Sequence, residues 1–308
     1  MGRHLAWQVP VAALALALAG CSGDSGGSAG ETESSAATST STSAAAAPNP
    51  EADKAAAEYK AYAVAQTDEL VGAVKALTDA VRAGNLQAAQ DAYAPSRLPW
   101  ERIEPLAGLV EEIDGKVDAR VDDFAGVDDP AFTGWHRLEY LLFSQNTTEG
   151  GAQFADQLDA DIATLQQQMP SVEVTPVDVS NGAAELIEEV SEGKITGEED
   201  RYSKTDLWDF DANLQGSQAA VNRMAPALVQ ADPALLGKIE AGFSEIFATL
   251  GPLRRGEGWV LFCTENDPYP SPRCPEVTVD PATIDTLKAQ LAGLSENLSQ
   301  VSGVLKLT

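Results

Sequence analysis

The sequence contains little histidine, little cysteine and few aromatic residues. Of its 308 residues only two are histidine and three are cysteine. His4 lies near the N-terminus, in a segment that we expect to be removed, so His136 would be the only histidine of the mature chain. A catalytic zinc site built on three histidines is therefore excluded, and any metal site must combine one imidazole with carboxylates.

Basic residues are also scarce. The chain has 20 Lys+Arg against 47 Asp+Glu, which gives a formal net charge of -27. Nucleic-acid binding is excluded, because phosphate groups need a basic surface. The acidic composition is compatible with attracting cations and equally with plain solubility.

The chain lacks any sustained alternation of apolar and polar residues, so no strand is predicted, and it has no internal repeat. Apolar residues instead recur every three or four positions, and alanine and leucine are abundant, which favours helices. The pattern predicts helices over 51–83, 85–93, 99–104, 153–169, 181–191, 205–229, 233–255 and 281–305. We therefore predict an all-α fold, either one antiparallel bundle or two stacked bundles.

The N-terminus resembles a bacterial lipoprotein signal. Residues 11–19 are apolar but too few to cross a bilayer as a mature helix, and they lead into Leu-Ala-Gly-Cys21. We predict a signal peptide over 1–20, lipidation of Cys21, and a flexible linker over 21–50 that is rich in Ser, Gly, Ala and Thr. The folded domain would then span 51–308. The alternative is an ordinary secretory signal with an incidental cysteine.

Two cysteines remain, Cys263 and Cys274. Outside the cytoplasm two spare thiols usually pair, so we predict a disulfide between them. Closing a loop of this length would stabilise the fold by about 3 kcal/mol. The alternative is a metal site with two thiolate ligands.

The segment 133–143 contains the most informative pair of residues, His136 and Glu139. Their three-residue spacing places both side chains on one face of a helix. Apolar neighbours such as Trp135 and Leu138 would bury that helix, and a buried imidazole and carboxylate are costly unless something satisfies them. A metal ion would do so. The alternative is a hydrogen-bonded core pair without a metal.

Further ligands would be carboxylates from facing helices. Glu104, just before an expected kink, and Asp118 are the first candidates. Glu101 and Asp122 are second choices, as ligands or as residues that support the ligands. Asp114, Asp118 and Asp122 are spaced by four, which predicts one acidic stripe on a helix. The stripe is either a solvated face or a face with one member turned towards a cation.

The expected donor set is rich in oxygen, which suits hard cations. Fe(III) fits such a site, Mn and Ca are possible, and Zn would be tolerated. Another acidic stretch, residues 193–210, has its carboxylates close to Arg201. We expect those charges to pair within the protein rather than to bind the metal.

Several motifs together resemble one family. Thr-Gly-Trp-His-Arg-Leu-Glu, which ends at Glu139, resembles the Gly-x-His-x-x-Glu signature of the imelysin-like domain. The stretch that ends at Pro105, the Lys-Val-Asp-Ala-Arg that ends at Arg120, and residues 194–213 resemble further motifs of its EfeO/EfeM group, from bacterial iron uptake. The likeness covers about residue 55 to the C-terminus.

The resemblance implies two packed antiparallel helical bundles with a metal site near the His-x-x-Glu motif. His136 and Glu139 match the motif ligands, while Glu104 and Asp118 fall in the other acidic motifs. The resemblance also implies delivery of iron to a membrane permease, with a haem-containing peroxidase-like partner. The chain looks like a short form without a cupredoxin domain, and Lys204 stands where the family is expected to have a histidine.

The imelysin-like domain has been classed among peptidases, but two features argue against an enzyme. The chain has no His-Glu-x-x-His motif and no evident pairing of a nucleophile with a base. We therefore predict an iron-binding protein at the outer face of the cell membrane or in the periplasm. The alternatives are a metal-dependent peptidase and a polymer-binding helical module with a structural metal.

Overall fold

The computed structural model of the chain describes residues 49–307. The predicted signal peptide, Cys21 and nearly all of the linker lie outside these residues. Within the described range the chain forms ten α-helices, and its two short strands pair antiparallel. The helices are α1 (Pro50–Arg82), α2 (Leu86–Glu101), α3 (Glu111–Val117), α4 (Gly134–Glu139), α5 (Ala152–Gln168), α6 (Pro176–Glu192), α7 (Asp206–Ala231), α8 (Pro233–Leu250), α9 (Pro281–Ser299) and α10 (Val301–Leu305). The strands are β1 (Arg254–Arg255) and β2 (Gly258–Trp259).

The helices pack in two groups, as predicted. Helices α1, α2 and α5 pack together, α6 packs on α7 and α9, and α8 packs on α7 and α9. Helix α7 also contacts α1 and α2, so it joins the two groups, and one apolar core runs through both. The predicted all-α fold is thus confirmed. None of the helices in the described range is long and apolar enough to cross a membrane.

Helix α1 follows its sequence closely. The side chain of Asn49 caps it by accepting a hydrogen bond from the backbone N–H of Ala52, and Pro50 occupies the first helical turn, where its missing N–H costs nothing. Most of the apolar residues at three- and four-residue spacing are buried, namely Tyr59, Leu70, Val74, Leu77 and Val81, and Tyr62 is half-buried. The predicted helix is therefore confirmed to within one residue at each end.

Helix α2 is longer than predicted. We expected one helix to end near Tyr93 and another to begin at Pro99, but α2 continues through Pro95 and Pro99 to Glu101. Each proline removes one backbone hydrogen bond. The helix persists because its inner face is firmly held by buried side chains, namely Tyr93, Arg97, Trp100 and Glu101. We expected the helix to kink beyond Glu104, but α2 ends at Glu101 and a 3-10 turn follows over Glu104–Leu109.

The predicted acidic stripe of Asp114, Asp118 and Asp122 is wrong. Helix α3 ends at Val117, and Asp118 lies just beyond it with non-helical backbone angles. The carboxylate of Asp118 is buried against α2, whereas the side chain of Asp122 is 64% exposed. The three carboxylates therefore do not share one face.

Other helix ends differ from the prediction by a few residues. Helix α6 begins at Pro176, before the predicted start at 181, because Thr175 and Asp178 form a capping box. Helix α8 stops at Leu250, before the chain turns into β1, and the predicted C-terminal helix is divided at Gln300. Helix α7 begins at Asp206, one residue after its predicted start.

A disulfide joins Cys263 and Cys274, with their Cα atoms 5.4 Å apart, so neither thiol is free to bind a metal. The loop that it closes contacts the segment before α7. Asp267 forms an ion pair with the buried Lys204 (Oδ2 to Nζ 2.6 Å), and the guanidinium of Arg201 lies 4.2 Å from the ring centre of Tyr269. The disulfide loop therefore fixes this segment from outside.

Loss of the disulfide should destabilise the fold. In a double variant, Cys263→Ser with Cys274→Ser, we expect the free energy of unfolding to fall by about 3 kcal/mol, because the unfolded chain regains the freedom of the open loop. Urea denaturation of the two proteins measures the difference. A reducing agent should lower the midpoint of the wild type and leave the variant unchanged. An unchanged wild-type midpoint under full reduction would contradict this account.

Candidate metal centre

Helix α4 brings His136 and Glu139 together in the interior. Both side chains are buried, and Nδ1 of His136 lies 3.2 Å from Oε2 of Glu139. The helix begins at Gly134, whose φ is 76° and where a Cβ would lie 2.2 Å from the carbonyl oxygen of Val117. Only glycine allows α4 to approach the end of α3 this closely. After Glu139 the chain continues as one π-helical turn, a form frequent at functional sites.

The other ring nitrogen of His136 faces two carboxylates. Its Nε2 lies 3.5 Å from Oδ1 of Asp118 and 3.6 Å from Oε1 of Glu199. The three groups can present one ligand atom each within 4.8 Å of one another. One imidazole nitrogen with two carboxylate oxygens is a suitable partial ligand set for iron and related metals. We call these residues the central triad.

Two further groups of potential ligands overlap the central triad. His136 also forms a group with Glu139 and Asp200, and Glu199 forms one with Glu101 and Asp209. All of these side chains are buried. Because the groups share His136 and Glu199, the ligand atoms form one continuous cluster. Glu101, a second-choice candidate from the sequence, lies in this cluster.

Glu104 and Asp122 lie elsewhere. The carboxylate of Glu104 accepts hydrogen bonds from Nζ of Lys194 at 2.7 and 2.9 Å and from Nδ2 of Asn213 at 2.7 Å. It faces Lys194 and belongs to none of the ligand groups in the described part of the chain. Asp122 is exposed and paired with Arg201. Of the four metal ligands expected from the sequence, the structure brings together His136, Glu139 and Asp118.

Arg97 lies at the centre of the cluster and is completely buried. Its Nη2 donates to Oε1 of Glu101 at 2.5 Å and to Oε1 of Glu199 at 3.1 Å. Its Nη1 donates to Oδ1 of Asp118 at 2.5 Å, and its Nε donates to Oδ2 of Asp209 at 3.0 Å. Burial lowers the pKa of this arginine, but the charges of Asp118, Asp209 and Glu101 raise that pKa well above its usual value. Arg97 therefore stays charged.

The cluster contains more negative than positive groups. With Glu104, which shares Lys194 with Glu101, there are seven carboxylates, namely Glu101, Glu104, Asp118, Glu139, Glu199, Asp200 and Asp209, and the permanent cations paired with them are Arg97, Lys194 and Arg120. Burial raises the pKa of Asp200 to about 6, and burial holds the pKa of Glu104 and Asp209 well above the usual range. Neighbouring carboxylates add to both effects. These raised pKa values reflect the shortage of cations around the carboxylates, and a metal ion bound by such a group would displace its proton.

His136 supplies part of the missing positive charge. Burial and the Arg97 charge lower the pKa of His136, but hydrogen bonds to neighbouring carboxylates raise that pKa well above its usual value. The imidazole is therefore protonated when no metal is bound. A metal at Nε2 would have to release that proton, which couples binding to pH.

Glu139 orients the imidazole. Its Oε1 accepts hydrogen bonds from the backbone N–H groups of Tyr202 and Ser203 at 2.8 and 2.7 Å, so the carboxylate is fixed between α4 and the segment before α7. Its other oxygen is left for Nδ1 of His136, and the ring consequently turns Nε2 towards the central triad. This is the usual relation between a metal-binding histidine and its supporting carboxylate.

An acidic cleft of about 640 Å³ adjoins the central triad. Asp118 and Glu199 line it, and its one basic side chain is Arg120. The remaining acidic lining residues are Glu104, Glu111, Asp114, Asp123, Glu185 and Glu189. Burial and the charge of Asp118 raise the pKa of Asp114 to about 7. Because two members of the triad line the cleft, it offers a cation a negatively charged route from solvent.

Sequence reasoning missed much of this cluster. Glu199 and Asp200 lie in the acidic loop that we expected to pair internally, and Asp209 lies in the first turn of α7. Arg97 carried a usable signal, because its spacing from Tyr93 and Glu101 places it on the buried face of α2. A charged residue on an apolar helix face needs buried partners.

The fold and the site define a class: a helical, extensively acidic protein with a buried single-histidine cluster beside an acidic cleft. Residues 55–301 match the model of the imelysin family, which bears the name peptidase M75. The chain belongs to the imelysin family, and the resemblance inferred from its motifs is confirmed.

Known relatives agree with this assignment. The chain is 45% identical over 250 residues to the iron uptake system component EfeO of Escherichia coli O157:H7, and 44% identical to those of Escherichia coli K12 and Shigella flexneri. Each alignment covers 81% of this chain and 63% of the relative. The chain therefore matches less than two thirds of the length of these relatives.

The close approach at Gly134 gives a direct test of how α4 is positioned. Gly134→Ala should lower the free energy of unfolding by at least about 2 kcal/mol, since it adds both backbone strain and a clash with Val117. Gly115→Ala in α3 is the matched control, because no atom lies within 4 Å of the added Cβ. Urea denaturation compares the two. Equal stabilities would contradict the packing described here.

Proposed function

We propose that this chain is the iron-binding component of a bacterial iron-uptake system. It binds iron outside the cytoplasm and passes it to a membrane permease of the same system. The observation that carries the proposal is the central triad, in which Asp118, His136 and Glu199 face one another inside a cluster with too few cations. The names of the relatives support iron as the metal, since those proteins are described as components of iron uptake.

The chemistry of the donors supports the same metal. Carboxylate oxygens with one imidazole nitrogen suit iron in either oxidation state, whereas Zn or another divalent cation would compete for the site. In this proposal Asp118, His136 and Glu199 hold the ion. Glu139 orients His136, and Glu101 and Asp200 are available as further oxygen donors at the edge of the triad. Glu104 and Asp122 have no ligand role.

The location and the partners are part of the proposal. The motif at Cys21 supports lipid anchoring at the outer face of the cell membrane, with residues 1–20 removed, 21–50 as linker and 51–308 as the functional domain. A membrane permease and a haem-containing peroxidase-like protein are the partners that the family resemblance implies. The strongly acidic cleft supports uptake of a cation rather than of an anionic ligand.

Removal of the single imidazole tests the site. His136→Ala should weaken Fe(III) binding by at least about 100-fold, because loss of even an outer partner of a metal ligand costs about 10- to 100-fold. Competition with a chelator of known affinity measures the dissociation constant, and circular dichroism checks that the fold is intact. Asp122→Asn is the matched control and should bind as the wild type does, since Asp122 is exposed. Wild-type affinity in a folded His136→Ala variant would refute the site.

The second candidate function is a metal-dependent peptidase, because the family model has a peptidase name. Three protein ligands would leave a zinc ion an open position for water, and a carboxylate would have to act as the base. The two obvious bases are already engaged: backbone N–H groups hold Glu139, and Lys194 holds Glu104. The carrier function is therefore better supported.

A digestion assay separates the two functions. Zinc-loaded and iron-loaded protein are incubated with a peptide library, and the products are identified by mass spectrometry. The carrier proposal predicts no cleavage above that of a His136→Ala sample prepared in the same way. Cleavage that depends on His136 would establish the peptidase instead.

A further inference from the structure

We propose that Arg97 is the resident cation of the metal site, which the incoming iron displaces and which returns when iron leaves. In this role the arginine sets how tightly the metal is held and how quickly it is released. The inference rests on the proposed function and assigns a second role within it, that of an internal competitor.

Arg97 lies close to the ligand atom of each residue of the central triad. Its Nη1 lies 2.5 Å from Oδ1 of Asp118 and 3.5 Å from Nε2 of His136, and its Nη2 lies 3.1 Å from Oε1 of Glu199. The guanidinium is completely buried, so no solvent separates it from these atoms. The two carboxylate oxygens that would coordinate a metal are therefore already neutralised by a cation of the protein itself, which lies beside the third ligand atom.

A metal ion and this position of the guanidinium are incompatible. Metal bonds to carboxylate oxygen and imidazole nitrogen measure about 2.0 to 2.2 Å, so an ion on Oδ1 of Asp118 would lie within about 5 Å of Nη1 wherever it sat. Two cations at that distance in a buried site repel strongly, because little water screens them. They would also compete for the same oxygens. Iron can enter the triad only if the guanidinium withdraws.

The structure provides a place for the withdrawn guanidinium. Two carboxylates outside the central triad already hold the guanidinium: Nη2 donates to Oε1 of Glu101 at 2.5 Å and Nε donates to Oδ2 of Asp209 at 3.0 Å. The second oxygen of Asp209, Oδ1, is buried and has no hydrogen-bond partner within residues 49–307. It can therefore accept a hydrogen bond from the displaced guanidinium. Arg97 would keep two carboxylate partners and gain this oxygen.

This exchange suits a protein that must give its metal away. Metal loss from an ordinary carboxylate site leaves buried negative charges unpaired, which is costly and slows release. Here the returning guanidinium restores the charge balance as the metal departs. The same competition lowers the affinity for iron below what the ligands alone would give.

The alternative role for Arg97 is structural: its hydrogen bonds would hold Asp118 and Glu199 in position for the metal. The two roles predict opposite effects of removing the charge. Loss of a competitor strengthens metal binding, whereas loss of a positioning residue weakens it. The apo protein should be less stable in either case, so stability alone does not distinguish them.

The test compares Arg97→Gln with Arg120→Gln. Arg120 is a matched control because its Nη1 also contacts Glu199, at Oε2 and 2.5 Å, but it is not among the partners of His136 or Asp118. Chelator competition gives the Fe(III) dissociation constant, and release into excess chelator gives the off-rate. Removing a competing charge in direct contact with the ligands should tighten binding by at least about 10-fold and slow release. Arg120→Gln should have a clearly smaller effect.

The outcomes separate this inference from the proposed function. Weaker binding by folded Arg97→Gln, or equal effects of the two variants, would overturn the role of Arg97 while leaving the iron site intact. Absence of iron binding by the wild type would overturn both.

A measurement on the wild type covers the case in which Arg97→Gln does not fold. Arginine labelled with an NMR-active nitrogen isotope reports on the guanidinium protons, and Arg97→Lys identifies the signal. Ga(III), a diamagnetic ion of the charge of Fe(III), serves as the probe. Saturation with Ga(III) should shift the Nη signals of Arg97 and leave those of Arg120 much less affected. An unchanged Arg97 signal in the gallium-bound protein would overturn the exchange.

Discussion

The structure depends on one imbalance: seven largely buried carboxylates are paired with only three permanent cations, Arg97, Lys194 and Arg120. Breaking a buried ion pair costs about 3 to 5 kcal/mol, because it leaves a charge without a partner. The protein satisfies the remaining carboxylates with protons, with backbone N–H groups and with the protonated His136. A metal ion supplies more positive charge than any of these. This imbalance is the basis of the proposed metal site.

Close backbone contacts assemble this cluster from distant parts of the chain. At Gly216 an added Cβ would lie 2.2 Å from the carbonyl oxygen of Arg102, so α7 packs directly on the end of α2. That approach lets Asn213 of α7 donate hydrogen bonds to both Glu101 and Glu104. Gly134 has the same role for α4. Since α7 joins the two helix groups, the ligand cluster and the packing of the helices support each other.

The sequence predicted the local features well and the distant contacts poorly. Apolar periodicity gave most helices, and three-residue spacing gave the pairing of His136 with Glu139, because both depend only on neighbours along one helix. Asp118 was also expected near His136, and its carboxylate lies 3.5 Å from the ring. Glu199 was not, since its contact with His136 joins residues far apart in the chain. Glu104 was expected to bind the metal, but Lys194 holds its carboxylate. Nothing in the segment around Glu104 reveals this partner, which lies 90 positions away in the chain. Distant partners of this kind decide which carboxylates remain available to bind a metal ion.

Diffraction at the iron absorption edge, from crystals of the iron-loaded protein, would locate the metal. We expect one strong anomalous peak at about 2.0 to 2.3 Å from Asp118 Oδ1, His136 Nε2 and Glu199 Oε1. The guanidinium of Arg97 should then lie closer to Asp209 than it does without metal. A peak elsewhere, at Glu104 or among the outer carboxylates of the cleft, with Arg97 still between Asp118 and Glu199, would contradict this expectation.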